Sequence, residues 1–562
     1  MHEIVILIAS LLAVVVSSQI FFARRGLRYL QYLQQDDYEG RRFLKWYEKN
    51  RAFDRRASLV AVSTLAAILV ASSFSFVAAA ILSFFGSLTL WHRAGREENP
   101  LASGKILLKL TERARRIFDT AQSCYALCQL VCALLVFWLE RKYALPIFWV
   151  CQMVLIQLQP FILVLAKVLL DPQEKELQSQ FARQAQQIVK QTAPLVVGIT
   201  GSYGKTSAKV ILSDMLNAAA PTFTTPRSIN SYMGVTREIR ERMKPCHKFA
   251  VIEMGAYYKG SIARMCSLTP PKVGLVTALG QMHLERFGSL ENLFQAKSEL
   301  AQAVPSDGIL VLNGDYEACR RMAKENPKRV ALLYGMDKSK GNLDAYMHSI
   351  TTSDKGTTFK IDFDGKVYEG FTRLLGRPLL SNALGAFVVA VTLGCVPEVA
   401  LAAMRNVKTE NNRLEPVRTT IGALGGGVNG KSSQQILRLN DAFNSNPIGF
   451  SAALDVLAEV AGARKVLVTP GMIELGANQQ EENRNAAKKA ASVCDLVVVV
   501  GRTNKEALLA GLKEGGLPED RYVVQDNMRD ALQYLGTSYC GEGDVVLIEN
   551  DLSDLYESIP QF

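Results

Sequence analysis

The chain has 562 residues, with 64 Lys and Arg against 53 Asp and Glu and a formal net charge of +11. That length exceeds what one hydrophobic core organises, and 49% hydrophobic with 21% charged residues excludes a disordered or fibrous chain. The positive balance does not call for nucleic acid, because many of the basic residues lie between apolar stretches at the front of the chain, where anionic lipid headgroups account for them. The ten cysteines form no C-x-x-C pair, so neither a zinc site nor a disulfide framework is legible, as fits a reducing cytosol.

Residues 4–22 are uncharged and long enough to cross a hydrocarbon core of about 30 Å. A signal peptide is excluded by His2-Glu3 at the start and by Arg24, Arg25 and Arg28 where a small-residue cleavage site should be. Residues 24–56 are basic and interleaved with Tyr29, Tyr32, Phe43, Trp46 and Tyr47, an interfacial composition that the positive-inside rule places in the cytoplasm. The uncharged run 57–91 fits either one long span or a hairpin turning near Ser72-Ser73. The hairpin is preferred, since it keeps the next basic loop, 92–116, on the same side. Two further spans, 118–139 and 146–170, complete a multi-span domain over 1–171, with membrane lipids as partners, the inner (plasma) membrane as its location and the rest of the chain cytoplasmic. Cys124, Cys128 and Cys132 share one helical face in it, a small-residue packing stripe.

A polar linker helix over 172–192 leads to the most telling segment. The apolar run 195–200 is followed by Gly201-Ser202-Tyr203-Gly204-Lys205-Thr206-Ser207 and then by a helical pattern to Ala218. Strand, glycine-rich turn and helix together make a phosphate cradle: backbone N–H groups face phosphate oxygens, Lys205 adds a point charge and the Thr206 hydroxyl reaches Mg²⁺. The strict motif has glycine where Ile199 stands. ATP and Mg²⁺ are the expected cofactors. Strands at 249–253, 273–277 and 309–313 alternate with helices, giving a nucleotide-binding α/β domain over 193–410 with a mostly parallel sheet. A second α/β series over 411–562 has strands at 436–439, 465–469, 496–500 and 545–548 and no phosphate loop, so it is expected to clamp substrate.

Glu253 ends a strand, where a carboxylate can meet the Mg²⁺ of a triphosphate. His283 after another strand and Lys297 on a helix are unremarkable singly. As an ordered set the residues resemble the Mur ligases, ATP-dependent amide-bond-forming enzymes of peptidoglycan synthesis. The matching motifs are 198–207, Glu253-Met254-Gly255, His283-Leu284 with Phe287-Gly288-Ser289 and Glu291, Lys297, Asn313-Gly314-Asp315, Leu375-Gly376-Arg377 with Asn382-Ala383, Arg413-Leu414-Glu415, 441–447 and 471–476.

The resemblance implies a P-loop-type central domain and a Rossmann-like C-terminal domain. It makes Lys205, Lys297 and His283 the catalytic set, with Gly201, Ser202, Tyr203, Gly204, Lys205, Thr206, Ser207, Asn382, Arg413 and Asp441 on the nucleotide. Thr206, Glu253, His283 and Lys297 would hold metal, Lys297 as a carbamate. A carboxylate would attack the γ-phosphate, and the acyl phosphate formed would be captured by the amine of an amino acid or dipeptide. Departures from the family pattern are Pro378, Asn440, Asn483 and Ala278, and a membrane domain stands where the family's soluble UDP-sugar domain would be. The carboxylate substrate is therefore either a small molecule or lipid-linked. A poly-γ-glutamate-type synthetase and a non-catalytic ATP-binding membrane scaffold are the alternative readings. The cysteine ribbon of the lipid II amidotransferase subunit is not visible.

Overall fold

The computed structural model describes residues 2–36, 38–49, 52–103, 107–256, 258–280, 287–353, 356–407, 414–424, 434–442, 445–473 and 475–552. The chain forms two compact units, Met1–Leu177 with Leu552–Phe562, and Gln178–Asp551.

The first unit is built from α1 (His2–Gln35), α2 (Gly40–Lys49), α3 (Arg55–Ser72), α4 (Phe76–Gly95), α5 (Glu112–Phe137) and the start of α6 (Arg141–Thr192). All but α2 are long and apolar enough to cross a membrane. The run 57–91 breaks as a hairpin. α3 stops at Ser72, and the Ser75 hydroxyl caps α4 by accepting the Ala78 N–H. Leu59, Val70, Phe74, Phe84 and Phe85 point outward, an arrangement that suits lipid rather than water.

The two basic loops meet. Arg25, 3% exposed, donates from Nε and Nη2 to Glu97 at 2.9 and 2.6 Å, and its Nη1 lies 2.9 Å from Asp54. Gln34 and Lys109 exchange two further bonds of 2.8 and 2.9 Å. Inside the bundle, Gln152 bonds Gln129 and Trp149 bonds Ser83, polar contacts that tie helices together where apolar packing alone gives little preference. Two boundaries differ from expectation. α1 continues past Phe22 because the arginine-rich stretch is itself a good helix former. α6 runs unbroken through Pro146, Pro160 and Pro172, so the linker helix is its distal part.

The second unit contains two sheets. In the first, β1 (Leu195–Thr200), β2 (Thr222–Thr224), β3 (Phe249–Glu253), β4 (Val273–Val276), β5 (Ile309–Asn313), β6 (Val330–Gly335), β7 (Ala345–Ser353), β8 (Gly356–Phe363) and β9 (Lys366–Thr372) lie in the order 2-3-1-4-5-6-7-8-9. Strands two to seven pair in parallel, while β7–β8–β9 form an antiparallel meander. The second sheet orders β10 (Glu415–Thr420), β11 (Gln435–Asp441), β12 (Lys465–Thr469), β13 (Leu496–Val500), β14 (Tyr522–Gln525) and β15 (Val545–Glu549) as 10-11-15-12-13-14, parallel except for β10.

Short, almost wholly apolar strands such as Leu496–Val500 are what helices on both sheet faces demand. α7 (Lys205–Ala219) buries Ile211, Leu212, Met215 and Leu216 on the first sheet, each contributing roughly 1.5–3 kcal/mol. One apolar cluster runs from Val197 and Leu212 through Phe387 to Leu457 and Leu547, joining the two sheets' layers. The connections after β1 and after β4 leave in opposite directions, so a crevice opens at the carboxyl ends of these neighbours.

Candidate functional site

The crevice is occupied by the glycine-rich turn between β1 and α7. Gly204 takes φ +77°, a left-handed conformation, and a Cβ there would collide with the Asn382 amide. Glycine at this position thus permits both the turn and the approach of the helix Arg377–Thr392 that carries Asn382. The turn is anchored on the β4 side: Ser202 N–H donates to Ala278 O at 2.6 Å, Ser202 Oγ to Gly280 O at 3.0 Å, and Thr277 Oγ1 to Tyr203 O. Ser202 therefore serves the loop's own shape in this conformation. Lys205 Nζ lies over the turn, 2.8 Å from Gly201 O and 3.2 Å from Ser202 O.

Lys297 reaches the same carbonyl. The helix Leu290–Ala303, capped by Ser289, packs closely on β1 because Gly198 has no side chain; a Cβ there would come within 2.7 Å of Leu300. Lys297 is 3% exposed and donates to Gly201 O at 3.0 Å. Burial, then the neighbouring Lys205 charge, push its amine well below the ordinary lysine range, with Glu253 and Glu299 opposing. A buried neutral amine is nucleophilic, as a surface ammonium is not.

Glu253 closes the other side. Its carboxylate, 1% exposed, accepts from Thr206 Oγ1 at 3.2 Å and from Asn230 Nδ2 at 2.8 Å on Oε1, and Lys209 Nζ stands 3.4 Å from Oε2. Oε2 accepts no hydrogen bond among the described residues and has the Lys209 ammonium as its ion-pair partner. A carboxylate oxygen so placed, beside a hydroxyl, is a donor set that a hard divalent cation accepts, so the residues fit Mg²⁺. Among the described residues no three His, Cys, Asp or Glu side chains converge, and the expected metal set contains only one of them besides His283. His283 and Arg413 lie outside the described residues, as does Glu474.

Beyond the turn a cavity of about 120 Å³ is lined by Tyr203, Gly204, Ser207 and Asn382 on one side and by Leu414, Asp441 and Asn446 on the other. Of the expected nucleotide residues, Tyr203, Gly204, Ser207, Asn382 and Asp441 line this space, whereas Gly201, Ser202, Lys205 and Thr206 do not. Burial raises the Tyr203 hydroxyl pKa. Of the departures, Pro378 starts its helix, a position proline favours. Asn483 is fully buried and clasps the backbone of Met472 with bonds of 2.7 and 3.0 Å. Asn504 and Asn550 hold the same 470–472 loop through Pro470 O, Met472 O and Gly471 O, so three amides fix one turn.

Lys209 and Asn230 were not anticipated. Lys209 occupies the buried stripe of α7 between Lys205 and Leu212, and a charge on an apolar face is a signal that a buried partner exists. Asn230 sits in a turn whose composition carries no such signal.

Comparison with known proteins identifies two family domains in the chain. Residues 199–390 match the Mur ligase middle domain and residues 428–549 match the family described as Mur ligase, glutamate ligase domain. The UDP-N-acetylmuramoyl-tripeptide--D-alanyl-D-alanine ligase of Escherichia coli K12 is 31% identical over 330 residues, covering 58% of this chain and 69% of that protein. The Bacillus subtilis ligase of the same name is 27% identical, covering 65% and 76%. Among solved structures, MurF from Acinetobacter baumannii superposes with a TM-score of 0.57 at 22% identity over 66% of this chain and 77% of that one. MurF from Thermotoga maritima, determined in complex with ADP, gives 0.56 at 24% identity over 66% and 80%. At such identities the structural likeness speaks for the fold.

Proposed function

The chain belongs to the Mur ligase family, and on that premise we propose that it is a membrane-anchored, ATP-dependent amide-bond-forming ligase of peptidoglycan precursor synthesis. The observation that carries this reading is the convergence of Lys205, Thr206, Glu253 and Lys297 on one turn at the carboxyl ends of β1 and β3. Lys205 and the turn would hold the β- and γ-phosphates, Asn382 the adenine, and Asp441 with Arg413 the nucleotide from the C-terminal side. Mg²⁺ on Thr206 and Glu253, with His283 and Lys297 as further ligands, would screen the charge between an incoming carboxylate and the triphosphate. For Lys297 the resemblance implies a carbamate: the neutral amine adds to CO₂ and releases one proton, leaving an N-carboxylate with two oxygens. Its depressed basicity supports that chemistry.

The reaction is then attack of a substrate carboxylate on the γ-phosphorus with departure of ADP, followed by attack of an amine on the acyl phosphate and loss of inorganic phosphate. The relatives are named for UDP-N-acetylmuramoyl-tripeptide and D-alanyl-D-alanine. For this chain the carboxylate partner is a membrane-proximal or lipid-linked precursor and the amine an amino acid or dipeptide. Five apolar helices and the distribution of basic residues support an anchored enzyme whose α/β unit is cytoplasmic. The test is a screen for ADP release by the full-length protein in lipid nanodiscs, across amino acids, dipeptides and UDP- or lipid-linked precursors. ADP formation that requires both a carboxylate and an amine is expected; ATP binding without ADP release for every pair would overturn the reading.

A further inference from the structure

The C-terminal domain carries a carboxyl pair, one member of which is buried. Asp441 and Glu549 are register partners at the carboxyl ends of β11 and β15. Asp441 lines the cavity opposite Gly204 and Ser207, whereas Glu549 lies behind it, 1% exposed. Glu549 Oε1 accepts from Ser445 Oγ at 2.6 Å, and Oε2 faces no other donor among the described residues. A buried carboxyl beside a second carboxylate resists ionisation. Burial first and Asp441 second push Glu549 well above the ordinary carboxyl range. Of the two, Glu549 is the carboxyl held toward its protonated form.

Asp441 has a local backbone partner. Its Oδ1 accepts the Leu414 N–H at 3.1 Å. Leu414 is a non-glycine residue at φ +48°, a conformation kept only where surroundings impose it. It stands at the entry to β10, after the middle domain's last helix Pro397–Asn406, and its side chain lines the same cavity.

We propose that Glu549 is a positioning residue for the nucleotide site: held by Ser445 and paired in register with Asp441, it aims that carboxylate at the Leu414 backbone and so fixes the Leu414 side of the cavity. This rests on the reading of the cavity as the nucleotide site. The chemistry asks for a neutral hydrogen-bond donor at 549, which glutamine also supplies. Glu549→Gln and Glu549→Ala are compared in the full-length protein for equilibrium binding of ATP and for KM and kcat in ADP release. Loss of the side chain that aims Asp441 predicts ATP affinity reduced about tenfold or more in Glu549→Ala, with KM raised in step and kcat little changed. Glu549→Gln should bind within about twofold of the parent, since its amide replaces the donor. Ser445→Ala, which frees only Oε1, should weaken ATP by a few-fold and serves as the decisive variant where Glu549→Ala does not fold. Parental affinity in both Glu549→Ala and Ser445→Ala, or a Gln variant as impaired as Ala, overturns the positioning role. A parent protein that binds no ATP would instead overturn the reading of the cavity, and the proposal with it.

Discussion

Replacing Lys297 by alanine separates a structural lysine from a functional one. The side chain is 3% exposed, so the change deletes three buried methylenes, a gross loss of roughly 2–2.5 kcal/mol. It also removes a hydrogen bond to Gly201 O, about 1 kcal/mol, and relieves an amine buried beside Lys205, which offsets part of both. The net effect is a destabilisation of about 1–3 kcal/mol, a fall in Tm of several degrees that leaves the protein folded at 25 °C. Turnover is a different matter. If the carbamate screens charge on the transferring phosphoryl group, its loss costs on the order of 10³-fold in kcat, about 4 kcal/mol of barrier. The assay is ADP release at saturating ATP, alongside a thermal melt of the same sample, with and without added acetate or another short carboxylate. Partial rescue of turnover by the carboxylate, with no change in the melt, is expected. A variant that turns over normally, or whose activity falls only in proportion to its unfolded fraction, refutes the metal-ligand role.

Lys205→Ala and Glu253→Ala should each abolish ADP release while ordered structure by circular dichroism is retained, because both side chains face a ligand; surviving release in either would count against the site. Asn483→Ala strips three hydrogen bonds from a fully buried loop and should cost roughly 2–4 kcal/mol by denaturant titration, far more than a ligand-facing residue would. Glu549 is protonated in the fold at pH values where the unfolded chain is ionised, so its contribution to stability is full below about pH 4.3 and is lost as pH rises toward its elevated folded value. Glu549→Gln should flatten that part of the stability–pH curve, gaining on the parent as pH rises, and parallel curves would show no shift at this residue. Cysteines introduced at Ser72 and Lys49 should be labelled from opposite sides of the membrane; labelling of both from one side excludes the five-span topology.

The glycine-rich turn and Glu253 were legible because each sits at a strand end or in a motif whose spacing is chemically constrained, whereas Lys297 reads as a surface lysine and is singled out only by the family resemblance. Most strands of the parallel sheets were legible for a related reason, since strands buried on both faces read as short unbroken apolar runs. The antiparallel meander of β7–β9 was not: its Thr-rich, half-exposed strands lack such runs, and the β8–β9 pairing follows the left-handed turn Asp364-Gly365, which no hydrophobic pattern marks. The hairpin of α3 and α4 followed from charge distribution, whereas the continuity of α6 did not, because three prolines read as breaks yet each removes only one bond in a long helix. Lys209, Asn230 and Glu549 escaped because their roles depend on partners 18 to 108 residues away. Asn483, read as a departure from the family pattern, bonds the backbone of Met472 and Gln479.

The central claim is that this chain couples ATP cleavage to amide formation through transfer of the γ-phosphoryl group to a carboxylate. It is tested most directly by supplying the full-length protein in nanodiscs with ATP, an amine and a cell-wall precursor whose carboxylate carries ¹⁸O, and analysing the inorganic phosphate by mass spectrometry. One ¹⁸O per phosphate, formed in step with ADP and the amide and absent with Lys205→Ala, is the predicted result. Unlabelled phosphate accompanying amide formation, or ADP released without any amide, would contradict it.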